Sequence, residues 1–207
     1  MKIKNFNDFS INKNNLFEED IQGFDAESTS MLKQMLDEKS DDVRTMKNLV
    51  KKGADPKVTD TELGGTLLHH AALLNSVELS DFCLKKGLTV APLTKKLATP
   101  LHWAAGNNSV DVIRFLLDWG ADVNVKDSDK QTPLHQASYT NSVDAIKILV
   151  SAGADSNAKD KNGKTPIELA MEEKSKGAVK AMSSSIDFSN FEFEGKVYDF
   201  SKIIPQT

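Results

Sequence analysis

Four histidines and one cysteine are the residues of this sequence best suited to chemistry, and their spacing decides what they can do. His69, His102 and His135 lie thirty-three residues apart, with His70 directly after the first. A metal centre or a catalytic base needs its groups to converge on one point, whereas a fixed interval of this length sets equivalent side chains in a row. Imidazoles in such a row are suited to internal hydrogen bonding within the fold. Cys83 has no partner for a disulfide or a paired thiolate site, and no C-x-x-C or His-Glu-x-x-His spacing occurs. Gly-x-Gly-x-x-Gly, phosphate-loop and Gly-x-Ser-x-Gly patterns are also missing. Asp111, Asp144 and Glu78 recur at one position, where a carboxylate at a helix start favours the helix dipole. Asp127 and Asp160 recur in turn-like segments, where local hydrogen bonding accounts for them. The expectation is therefore a non-enzymatic chain that needs no cofactor and no metal.

The same interval organises the whole chain. Thr66-Leu67-Leu68-His69, Thr99-Pro100-Leu101-His102, Thr132-Pro133-Leu134-His135 and Thr165-Pro166-Ile167-Glu168 are in phase. Asn75-Ser76-Val77, Asn108-Ser109-Val110 and Asn141-Ser142-Val143 keep step, as do Gly87, Gly120 and Gly153. Thr at the N-cap followed by Pro at the first helical position starts a short helix sharply. A second helix follows, over about 110–118 in one unit, with Val110, Ile113, Leu116 and Leu117 expected on its buried face and Gly120 as the positive-φ stop. Val143, Ile146, Leu149 and Val150 are expected to do the same in the next unit, and Val77, Leu79, Phe82, Cys83 and Leu84 in the preceding one. That places Cys83 in the core, as an inert small hydrophobe.

This unit resembles the ankyrin repeat, whose pattern joins a Thr-Pro-Leu-His helix start, a second helix and a Gly-Ala-Asp turn leading into a finger-like hairpin. The resemblance implies an all-α solenoid of helix-turn-helix units with protruding β-hairpin loops, here five repeats. The first, with Leu32-Lys33-Gln34-Met35 where the Thr-Pro-Leu-His motif belongs, and the last, with Glu168 in place of histidine, are degenerate caps. The chain divides accordingly into a flank over 1–31, a repeat domain over 32–184 and an aromatic tail over 185–207. Eight of the 10 phenylalanines lie in the flanks: Phe6, Phe9, Phe17 and Phe24 before the repeats, Phe188, Phe191, Phe193 and Phe200 after them. The alternation of Phe191, Phe193 and Val197 with Glu192 and Glu194 reads as a short strand. Two readings of the flanks stand, one in which they pack back on the stack and one in which a tail carries a docking motif.

In the resembled family the fingers and the exposed side of the first helix of each repeat line a concave groove that chooses the ligand. Matching repeat position assigns the finger residues Lys95, Lys96, Lys126, Ser128, Asp129, Gln131, Lys159 and Lys161 to partner binding. The helix rim contributes Leu73, Leu74, Asn107, Tyr139 and Thr140, with His70 and Trp103 extending the surface inward. The finger row is rich in lysine, which either keeps a surface solvated or receives an acidic peptide or protein face. The implied function is a protein-protein interaction module, an adaptor, scaffold or inhibitor. An alternative is a bacterial effector or toxin-immunity protein that sequesters its target with the same stack.

Composition agrees with this reading. The 207 residues carry 26 Lys and Arg against 30 Asp and Glu, for a net charge of −4, which counts against nucleic acid as the partner. No apolar run reaches the length of a membrane span, and residues 1–9 lack the apolar core of a signal peptide. The single cysteine points to a reducing compartment. A monomer in the cytoplasm is expected, with export by a route that needs no signal peptide left open.

Overall fold

The computed structural model describes residues 24–183, together with strand residues 192–193 and 196–197 as backbone. Ten helices occur among the described residues, in five antiparallel pairs: α1 (Ala26–Asp37) with α2 (Val43–Lys51), α3 (Leu67–Leu73) with α4 (Val77–Lys85), α5 (Pro100–Gly106) with α6 (Val110–Asp118), α7 (Pro133–Tyr139) with α8 (Val143–Ser151), and α9 (Pro166–Glu172) with α10 (Lys176–Met182). Successive pairs stack side by side into a solenoid, and the first helices of the last four pairs form its inner layer.

Each first helix begins as the sequence dictates. Thr66, Thr99, Thr132 and Thr165 are extended N-cap residues, and Pro100, Pro133 and Pro166 hold the first helical position, where no N–H is missed. Small residues then let these helices approach closely. Ala71, Ala72, Ala104, Ala105, Ala137 and Ala170 are fully buried between neighbours, beside Leu68, Leu101, Leu134 and Ile167. In the outer layer Leu79, Cys83, Val112, Ile113, Leu116, Ala145, Ile146 and Leu149 are fully buried. Cys83 occupies the core place expected for it, and burial pushes its thiol up to about 12. The expected buried face is shifted in one respect. Val77 is exposed and Val110 and Val143 are only half-buried, because they are the first residues of their helices and point past the core, whereas Val112 and Ala145, two residues on, fill it. Leu117 and Val150 are likewise half-buried.

Turns between paired helices use a second periodic device. Asn75, Asn108 and Asn141 adopt left-handed backbone conformations, with φ of 49°, 55° and 58°. Each side chain reaches into the following repeat. Asn75 Oδ1 accepts from the N–H groups of Asp111 and Val112, Asn108 Oδ1 from Ala145 and Asn141 Oδ1 from Ala178. One asparagine thus shapes its own turn and caps the next outer helix, which couples neighbouring repeats.

Helix α1 starts at Ala26, inside the segment read as a flank, with Asp25 as N-cap accepting from Ser28 N–H at 2.8 Å. Phe24 is 58 % exposed. At the other end the alternating segment forms a short antiparallel pair, β1 (Glu192–Phe193) with β2 (Lys196–Val197). Phe6, Phe9, Phe17, Phe188, Phe191 and Phe200, and with them the two readings of the flanks, lie outside the described residues.

Candidate functional site: the fingers and the concave groove

Four finger loops project from the inner layer, over 60–65, 94–98, 127–131 and 160–164, and each is closed by one backbone bond: Asp60 N–H to Gly65 O, Thr94 to Ala98, Asp127 to Gln131 and Asp160 to Lys164. They are tight turns; among the described residues the one bridge outside the named strands pairs Thr59 with Thr66. The fingers also bond to one another. Lys95 N–H donates to Leu63 O, Ser128 to Lys96 O and Lys161 to Asp129 O, at 2.9, 2.9 and 2.8 Å, so the tips form a continuous row.

The histidine series holds this row to the helices. Nδ1 of His69, His102 and His135 accepts the backbone N–H of Thr66, Thr99 and Thr132, each at 3.1 Å. A backbone N–H can only donate, so the ring proton must be on Nε2. That nitrogen donates to the carbonyl of Ala98, Gln131 or Lys164, the last residue of the next finger. The neutral imidazole is therefore the form that the fold requires. Burial lowers the pKa of all three, that of His69 to about 4. Glu168 in the last repeat keeps half of the device: its carboxylate accepts from Thr165 N–H at 2.7 Å, but it has no donor with which to reach a following finger.

His70 departs from the expectation. It is 3 % exposed and its Nε2 lies 3.2 Å from Asp60 Oδ2, so its side chain is engaged with a buried carboxylate. Its physical role is to satisfy a buried carboxylate. Burial pushes the Asp60 pKa up, but the N–H groups of Leu63 and Gly65, together with His70, outweigh it and hold the group below the usual carboxylate range. Burial lowers the pKa of His70, against the pull of Asp60. The first finger is one residue longer than the others, and Trp103 closes over it, edge-on to His69 and His70 at centroid distances of 4.9 and 5.7 Å. Gly65 lies beneath: a Cβ there would stand 2.5 Å from both Asp60 Oδ2 and the indole. Half-buried Trp103 thus serves the finger with one edge and faces the groove with another.

The groove is a cavity of about 290 Å³ lined by Leu73, Ala98, His102, Trp103, Gly106, Asn107, Gln136 and Thr140. Of the residues assigned from the sequence it unites Leu73, Trp103, Asn107 and Thr140. Asn107 Nδ2 donates to Leu73 O at 2.6 Å and staples α5 to α3, while Thr140 Oγ1 bonds Gln136 O and Ser142 Oγ. Leu74 is turned partly into the core, and Tyr139, 56 % exposed, stands outside the cavity. Along the fingers Lys95 Nζ is taken up by the carbonyls of Thr61 and Glu62, and Lys161 pairs with Asp129. Gln131 gives its carbonyl to His102 and its side-chain oxygen to Gln136. Lys96, Lys126 and Lys159 are exposed and carry no ion pair among the described residues, and Ser128 is exposed beside them.

Asp60, Gln136 and Leu97 were not singled out for this surface by the sequence; the recurrence of Asp127 and Asp160 was the signal that pointed to Asp60. No group of three or more His, Cys, Asp or Glu placed to hold a metal occurs among the described residues.

A family model described as ankyrin repeats in three copies matches residues 34–127 and again residues 121–191. The chain belongs to the ankyrin repeat family. Ankyrin repeats are protein-protein interaction modules and are typically non-enzymatic. No curated protein matches the sequence. No helix among the described residues is long and apolar enough to cross a membrane.

Proposed function

We propose that this ankyrin repeat protein binds an acidic partner protein or peptide through its concave groove and finger row, acting as an adaptor, a scaffold or an inhibitor that occupies the partner's surface. The observation that carries this reading is the set of finger lysines whose charge the fold leaves unused. Lys96, Lys126 and Lys159 stand exposed beside a groove that offers Leu73, an edge of Trp103 and polar groups on Asn107 and Thr140. Exposed cations of this kind steer an acidic partner to the surface, and the apolar wall contributes the burial that keeps it there. Tyr139 at the rim is an amphipathic anchor of the type enriched at interfaces.

The test is capture from the source organism by the full chain, compared with a concave-face variant carrying Tyr139→Ala, Lys126→Glu and Lys159→Glu. A convex-face control carries Arg114→Glu and Lys147→Glu. These residues are exposed, so all three proteins should fold alike. A partner retained by the control and lost by the concave variant is the expected result. Loss only from the convex control would overturn the assignment.

A further inference from the structure

The finger row is not uniform along its length. Its first two fingers expose aliphatic side chains: Leu63 is 38 %, Leu93 54 % and Leu97 48 % exposed. The second finger lies against the first, joined to it by the bond from Lys95 N–H to Leu63 O. Leu97 is the most informative of them. It occupies the finger tip with φ of 57°, a left-handed conformation that fingers one and four give to Gly64 and Gly163. A leucine there bears the steric cost of that conformation and also leaves apolar surface in water. Neither helps the fold, and a residue that costs the fold in both ways points to a contact with something else.

Charge changes along the same row. Lys96 adjoins Leu97, and its carbonyl receives Ser128 N–H from the third finger, whose tip residue at the position of Leu97 is Lys130, with φ of 58°. Lys96, Lys126 and Lys130 are exposed and carry no ion pair among the described residues. The tips thus pass from aliphatic to cationic over three neighbouring loops.

We propose that fingers one to three bind an extended acidic peptide segment that carries a large aliphatic side chain. The aliphatic group sits among Leu63, Leu93 and Leu97, and the carboxylates lie on Lys96, Lys126 and Lys130, which fixes the direction of the segment along the row. This inference rests on the concave-face reading above and deepens it by naming the order of chemical groups in the ligand.

The probe is a random linear peptide library displayed on phage and selected against the full chain. Enriched peptides are expected to place an acidic cluster to one side of a Leu, Ile, Met or Phe. Binding of the strongest peptide, measured by fluorescence polarisation, should weaken about tenfold in Leu97→Gly. The melting temperature of that variant should stay unchanged or rise, since glycine relieves the left-handed strain. Lys96→Gln with Lys130→Gln should weaken binding and flatten its salt dependence. Enriched peptides that lack either feature, or that bind Leu97→Gly as well as the wild type, overturn the inference. If such peptides are still lost in the Tyr139→Ala, Lys126→Glu, Lys159→Glu variant, the concave-face reading survives alone; if no enriched peptide engages that face, both fall.

Discussion

Acidification should loosen the finger row through His69, and the size of the effect follows from its geometry. Its Nδ1 accepts from Thr66 N–H and lies 3.1 Å from Thr66 Oγ1, so a proton added there faces the N–H donor and removes its acceptor. Burial lowers the pKa from 6.5 to about 4. The unfolded chain therefore binds the proton first as the pH falls. The contribution of His69 to stability is complete above pH 6.5, declines through the window from 6.5 to about 4, and changes no further below it. Across the whole window the loss is about 3 kcal/mol, of which about 2 kcal/mol has gone by pH 5. His102 and His135 are shifted in the same direction and add to the total. Urea denaturation of the wild type and of His69→Gln at pH 7.5 and pH 5 isolates the term, because every other titrating group is common to both proteins. The variant should be less stable at pH 7.5 yet lose about 2 kcal/mol less than the wild type on moving to pH 5. Equal losses in the two proteins would refute the neutral-imidazole account of the ladder.

Four further outcomes follow from named contacts. Gly65→Ala should cost about 1–3 kcal/mol in urea unfolding, since its Cβ would press on the Asp60 carboxylate and the Trp103 ring. Gly106→Ala should leave stability equal or raise it by about 0.5 kcal/mol, because nothing lies closer than 3.9 Å to the added carbon, while narrowing the groove and weakening any ligand held there. Asn108→Ala removes the cap on Ala145 N–H and places a Cβ-bearing residue without a compensating side chain at φ 55°, which should cost about 1–2 kcal/mol in the same measurement. Cys83 should react with a thiol reagent at pH 8 only in denaturant, and rapid labelling of the native protein would contradict its place in the core.

The helix starts and the repeat interval could be read from the sequence because their causes are local: Thr followed by Pro and an apolar stripe act within one turn. The histidine ladder was legible for a related reason, since a fixed interval excludes convergence whatever the details. The start of helix α1 at Ala26 was not legible because residues 26–31 carry little apolar pattern and the start depends on the Asp25 cap. The roles of Asn75, Asn108 and Asn141 depend on helices about thirty-six residues further on, so their recurrence was visible but its purpose was not. His70 was misplaced for the same physical reason. Its partner Asp60 belongs to a finger lengthened by one residue, and only the folded loop brings that carboxylate beneath the ring. The strain at Leu97 is a backbone property that residue type alone does not reveal.

Hydrogen-deuterium exchange of the full chain, free and saturated with a captured partner, tests the central claim most directly. Binding through the concave face predicts slowed exchange in the fingers at 94–98 and 127–131 and at the rim over 136–140, with α4, α6 and α8 on the convex side unchanged. Slowing confined to α4, α6 and α8, with the fingers exchanging as in the free protein, would contradict it.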